Sequence, residues 1–279
     1  MMDIQAMLDA AVADAERGDM VFPTHAEVAL RVQQALDDPD CSVEQLAKLI
    51  SAEPMLAARV VGMANSVSHN PSGRAIGDVN SAISRLGFKT LYTLVTALIV
   101  RQMQEMSPLP EHRALAARLW EHSAHVAALA RVIAKRVTKQ DPEAAFFAGI
   151  VHELGAFYLL ARASHYPGLL ENHLENWFEQ GEARLGRAVS KALGVPANLN
   201  PALETLWAGY LTMPPESLGD TLLLADQLSP VESPLAELLG MSHQDIAVDL
   251  DLLIDDATLS SVLAASAEEV ASLAAALRV

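Results

Sequence analysis

The chain has 279 residues, of which 51% are apolar and 19% charged, and its formal net charge is −16. That much apolar material sustains a buried core and excludes a disordered chain, while the negative balance disfavours binding to nucleic-acid phosphates or to an acidic membrane surface. Ala and Leu dominate and aromatics make up only 5%, a composition that favours helices over sheets.

The opening residues, MMDIQAMLDAAVADAERGD, lack the basic start and cleavable apolar run of a secretory signal and predict a helix over 4–17. Phe22-Pro23-Thr24 is a break, and Thr24 followed by Glu27 predicts a capping box for a helix from His25 to Leu36. Asp37-Asp38-Pro39-Asp40 reads as a turn. Beside it stands Cys41, the single cysteine, so no disulfide can form within the chain and a reducing cytoplasm is the expected compartment. Ser42 and Gln45 predict a helix over 43–51, and Glu53-Pro54 starts another that ends near Asn65. Residues 66–77 are rich in Ser, Asn, Pro and Gly and predict a loop. Asp78 or Asn80 can cap a short helix to Leu86, Gly87 ends it, and Phe88–Met103 is a long apolar helix. Ser107-Pro108-Leu109-Pro110 stops that helix and launches the next.

The second half opens with a helix over 112–137, and Asp141-Pro142 starts another that reads as unbroken through Phe146-Phe147 to Arg162. Further helical segments fall at 168–179, 182–193, 199–211 and 216–228, separated by Gly194-Val195-Pro196 and Met213-Pro214-Pro215. The tail, 243–279, reads as acidic and helical, with Ser266 and Glu269 capping a last short helix. Arg113, Arg118, Arg131, Lys135, Arg136 and Lys139 read as wet faces of helices. The longest uncharged apolar run, Leu91–Val100, is half of the roughly 20 residues that a membrane helix needs. These elements predict an all-α fold, a two-lobed multi-helix bundle. Its N-terminal helical lobe covers 1–107, a second helical lobe 108–230, and an acidic helical extension 231–279.

Within the helical pattern, several residues invite a chemical reading. Asp226 is the only charge in the apolar stretch LLLADQL. A buried Asp needs a partner. His125 shares a helix face with His122, three residues away. Asn65 and Ser66 stand where a helix must stop, with Asn suited to the left-handed conformation and to bonding nearby backbone, and Gly87 allows a tight turn.

The order of short motifs carries more than periodicity does. Asp38-Pro39 is followed by Ile50 and Pro54-Met55-Leu56, then Ala64-Asn65-Ser66, then Ala82-Ile83-Ser84-Arg85-Leu86-Gly87. WEHSAHVAALA (120–130), AFFAGIVHELGAFYLL (145–160) and LLLADQLSP (222–230) come next. This order resembles the HDOD family, a group related to the HD phosphohydrolases, over residues 20–230. Pro54, Asn65, Ser66, Leu86 and Gly87 are then structural hallmarks, and the C-terminal lobe is HD-like. The resemblance maps the HD metal-ligand set onto His122, His152-Glu153 and Asp226, with Glu153 where the HD pattern has Asp. Ala156 stands where many active relatives carry Lys, and ALETLW (202–207) holds no further histidine. The expectation is a vestigial metal site without catalytic residues, requiring no cofactor although able to hold a divalent metal. The implied role is regulatory, in bacterial signalling, through a protein partner or small ligand bound near His122 and His152, with no nucleic acid or membrane involved. The alternative is a metal-dependent phosphohydrolase acting on a nucleotide or phosphodiester.

Overall fold

The computed structural model describes residues 4–17, 26–166, 170, 177, 181–238 and 256–278. Among these the chain is helical and holds no strand. The first half comprises α1 (Ile4–Glu16), α2 (Ala26–Leu36), α3 (Val43–Ser51), α4 (Pro54–Ala64) and α5 (Val79–Gln102). The second comprises α6 (Pro110–Ile133), α7 (Pro142–Val151), α8 (Leu154–Arg162), α9 (Glu182–Ala192), α10 (Asn200–Ala208), α11 (Leu218–Gln227), α12 (Pro234–Leu238) and α13 (Asp256–Arg278).

Local chemistry sets most of the starts. Ser42 and Gln45 form a reciprocal capping box on α3, Asp78 caps α5 through the Ser81 amide, and Asp141 caps α7 just before Pro142. Ser217 and Asp220 form a second capping box on α11. Gly87 breaks α5 with φ 76° and ψ 168°, a conformation that a side chain would oppose. Thr24 and most of 168–179, as well as 243–255, lie outside the described residues.

Four expectations need correction. The helix expected over 142–162 is two helices, because the chain turns at His152 and Glu153, where Glu153 leaves helical geometry with ψ 20°. Ser266 does not cap a helix; it is buried inside α13, which runs unbroken from Asp256 to Arg278. Asn65 is right-handed, with φ −95°. Its amide instead clasps the following loop, donating to the Ile76 carbonyl and accepting from the Ile76 N–H, both at 2.8 Å. Arg131 is not on a wet face but 8% exposed.

One continuous apolar core runs from α1 to α13. At its centre α6 lies against α7 at very close range. An added methyl on Gly149 would meet the Ala127 nitrogen at 2.7 Å and its Cα closer still. Two stretches, Val79–Glu105 and Pro142–His165, are long and apolar enough to cross a membrane by length and composition, and most of each is buried inside the fold.

The loop after Asn65 is tied into a buried polar network. The Arg131 guanidinium pairs with Glu143 of α7 at 2.9 Å and Glu269 of α13 at 3.2 Å, and donates to the Ser68 hydroxyl. Arg136 joins Glu269 at 3.2 Å. The Thr90 and Ser68 hydroxyls donate to Glu143 and Glu269, and the Val67 amide donates to Ser272. His69 faces this network, its Nε2 4.0 Å from Glu143 and its Nδ1 3.1 Å from the Ser66 hydroxyl. Burial, followed by the charge of Arg131, pushes the His69 pKa down to about 4 against the pull of Glu143 and Glu269. Between about pH 6.5 and 4 the unfolded chain therefore binds a proton that the folded state refuses, so His69 costs stability as pH falls through that window. His69→Asn is expected to gain on the parent chain by up to about 3 kcal/mol on going from about pH 7 to about pH 4. Urea unfolding at the two pH values measures this, and an unchanged difference would refute the assignment.

Candidate functional site

Three elements bring the expected residues together. His122 sits on the buried face of α6 and is 0% exposed, and His152 sits at the turn between α7 and α8 and is 2% exposed. Asp226 stands in the last turn of α11. The Nε2 atoms of the two histidines are 3.2 Å apart. Asp226 Oδ1 lies 3.1 Å from His122 Nε2 and 3.8 Å from His152 Nε2. These three ligand atoms all fall within 4.8 Å of one another.

The outer faces of both rings are fixed by backbone. His122 Nδ1 lies 2.7 Å from the Val231 carbonyl, and His152 Nδ1 lies 2.8 Å from the Gly149 carbonyl. A carbonyl only accepts, so both Nδ1 atoms carry hydrogens and both neutral rings present Nε2 lone pairs inward. Two lone pairs at that separation, beside a carboxylate oxygen, repel unless a proton or cation lies among them. Burial pulls the His122 pKa down, but the hydrogen bond and charge of Asp226, aided by Glu153, win and raise it. Burial and the charge of His122 push His152 down to about 4. A proton taken up by the pair is therefore held on His122 and directed at Asp226.

Glu153 does not join this cluster. It is 8% exposed and accepts a hydrogen bond from the Ser233 hydroxyl at 3.0 Å. Burial, with Asp226 acting in the same direction, raises its pKa against the pull of His122. The chain reading missed a third acid, Glu182 at the start of α9. Burial and the charges of Glu153 and Asp226 raise its pKa well above the carboxylate range. No motif marks Glu182, which is placed by the packing of α9 on α8, where Gly155 lies against Gly186. His125 turns back to the Glu121 carbonyl at 2.9 Å and is outside the cluster.

This donor set fits a divalent cation. Two imidazole lone pairs and a carboxylate oxygen are the ligand types such ions take. Among the described residues the set comprises three protein atoms, because the fourth expected ligand, Glu153, turns to Ser233. A cleft of about 570 Å³ lies away from the histidines, between α2, α5, α7 and the loop after α9; Phe88, Tyr92 and Phe147 line it. Tyr92 and Phe147 meet edge to face at 5.5 Å.

Comparison with known proteins places this architecture. A protein of Shewanella amazonensis provisionally named a metal-dependent phosphohydrolase superposes with a TM-score of 0.71 at 23% identity, covering 99% of this chain and 100% of that one. An HDOD domain protein of unknown function from Geobacter sulfurreducens gives 0.56 at 21% identity, over 96% and 99% of the two chains. A protein of Marinobacter aquaeolei provisionally named a signal transduction protein gives 0.56 at 18% identity, over 99% and 67%. At these identities the likeness is one of fold. A search of curated proteins finds no match. The family model for the HDOD domain matches residues 22–203, and the chain therefore belongs to the HDOD family.

Proposed function

We propose that the protein is a regulatory HDOD module of a signalling pathway, acting by binding a protein partner or a small ligand and not by turnover. The observation that carries this reading is the burial of both histidines together with the diversion of the fourth expected ligand. His122 and His152 are almost inaccessible, and Glu153 is committed to Ser233. A hydrolytic metal centre needs a vacant position that water and substrate can reach. The net charge of −16 weighs against a nucleic-acid partner.

If a divalent cation is held, His122, His152 and Asp226 would hold it, and it would supply Lewis-acid polarisation of a phosphate or water. In this reading those three residues cross-link α6, the α7–α8 turn and α11, with a proton on His122 serving the same purpose. Val231 and Gly149 orient the rings, and Ser233 keeps Glu153 out of the cluster.

The test combines elemental analysis of protein purified without chelator with a Mn²⁺-supplemented assay on a chromogenic phosphodiester. Bound metal is compatible with the reading; turnover is not. The expected rate equals that of His152→Ala. Turnover by the parent chain that His152→Ala abolishes would establish the hydrolase alternative. Metal uptake, where it occurs, is expected to strengthen with rising pH, since the cation must displace the His122 proton.

A further inference from the structure

A second buried charge lies in the N-terminal half. A pocket of about 370 Å³ forms where the start of α4 meets the end of α5 and the short turn Met103–Glu105. Arg59 lines it and is 5% exposed. Among the described residues its guanidinium makes no ion pair, and its Nε has no hydrogen-bond partner. Two acids, Glu53 and Glu105, line the pocket without an ion pair to Arg59 among the described residues. Glu53 caps α4 by accepting from the Met55 amide at 3.4 Å. Arg101 lines the same pocket and adds a second positive charge.

Gln104, 9% exposed, contributes an amide Nε2 that is also buried without a partner. Met55, which is 52% exposed, and Leu98 supply an apolar wall. A buried guanidinium that forms no ion pair among the described residues gains from a paired anion, and its planar fork matches an oxyanion in bidentate fashion. Burial and the charge of Arg101 push the Arg59 pKa down only to about 10, so the group stays cationic at neutral pH.

We propose that this pocket binds a small organic oxyanion, whose charged group pairs with Arg59 and accepts from Gln104 while its apolar part rests on Met55 and Leu98. Met55 and Leu98 give an apolar tail a surface that inorganic phosphate cannot use, so an organic carboxylate is favoured over inorganic phosphate. The site deepens the reading of the chain as a binding module by naming the class of ligand. It rests on that reading only for its purpose, because the readout below involves no turnover and no metal.

The test is thermal unfolding of the full chain with sodium butyrate or inorganic phosphate, each at about 10 mM, against sodium chloride at matched ionic strength. Butyrate is expected to raise the Tm of the parent chain by about 3 °C when it is tenfold above its Kd, and phosphate by less. Arg59→Met removes a buried charge while filling its volume. It is expected to melt higher than the parent without ligand and to lose the butyrate response. Arg59→Lys keeps the charge but not the fork, and is expected to bind butyrate at least about tenfold more weakly. It serves as the second variant if Arg59→Met does not fold. No saturable response of the parent to either anion, or an equal response in the variants, overturns the proposal. A response to phosphate alone overturns the carboxylate assignment.

Discussion

Gly149→Ala is expected to lower the Tm by about 4–6 °C and to disturb the histidine pair, although alanine is the better helix former. The substitution gains about 1 kcal/mol in helix propensity. Against this, the new methyl would press on the Ala127 backbone, at 2.7 Å from its nitrogen. Backbone cannot rotate away as a flexible side chain can, so α6 and α7 must separate. Overpacking of this kind costs about 1–3 kcal/mol and occasionally more, and here it displaces several buried neighbours, so the net loss is about 2–3 kcal/mol, which for a chain this size gives the stated shift. Gly149 also supplies the carbonyl that orients His152. Separation of the helices therefore moves one ligand atom relative to His122, and any metal affinity falls with it. Gly62→Ala is the matched control. It lies in α4 with nothing within 4 Å of the added methyl, and is expected to be neutral or stabilising by up to about 1 kcal/mol. Thermal melts of the two variants side by side decide the matter, and equal effects would mean that the close approach of α6 and α7 is not what limits position 149.

Removing Arg131 is expected to have a comparably large effect. Arg131→Met leaves Glu143 and Glu269 facing each other's side of the network without their shared cation. Breaking a buried pair by deleting one partner costs about 3–5 kcal/mol, and the partial exposure of Glu143, at 22% of its side chain, places the expectation at the lower end, about 3 kcal/mol. Glu269→Gln alone is expected to cost less, since Arg131 keeps Glu143. Combining Arg131→Met with Glu143→Gln and Glu269→Gln is expected to recover part of the loss, because both buried acids are then neutral and Arg136, which loses Glu269, is 35% exposed. Chemical denaturation of the single and combined variants measures the coupling. Strict additivity would show that the three side chains act independently.

The parts of this fold that were legible in the chain are those with short-range signals. Ser42 with Gln45, Asp78, and Asp141 before Pro142 each satisfy helix amides within three residues, so their effect is written locally. The turn at His152-Glu153 carries no Pro, Asn or Gly at the break and sits inside a continuous apolar run. It is held by a tertiary bond from Ser233 to Glu153, which periodicity does not register. The convergence of His122, His152 and Asp226 was legible because motif order and a lone acid in an apolar stretch both pointed to it. Glu182 was not, since nothing in EARLGRAVSKA distinguishes an inward acid from a solvated one. Arg131 and Arg59 failed for a related reason. A charge on a helix defaults to the surface, and the partners of Arg131 are 12 and 138 residues further on, whereas Arg59 forms no ion pair among the described residues that could have marked it.

The position of Glu269 in the chain also bears on synthesis. As the protein leaves the ribosome, Arg131 and the loop after Asn65 are complete long before α13 exists. Glu143 follows Arg131 after only 12 residues, but Glu269 follows after 138, and translation at about 5–20 residues per second delays it by several seconds at least. During that interval Arg131 has one of its two acids, and α6 keeps an uncovered apolar seam where Leu273, Ala274 and Leu277 will later settle. The nascent chain is therefore a different object from the finished one until α13 covers that seam.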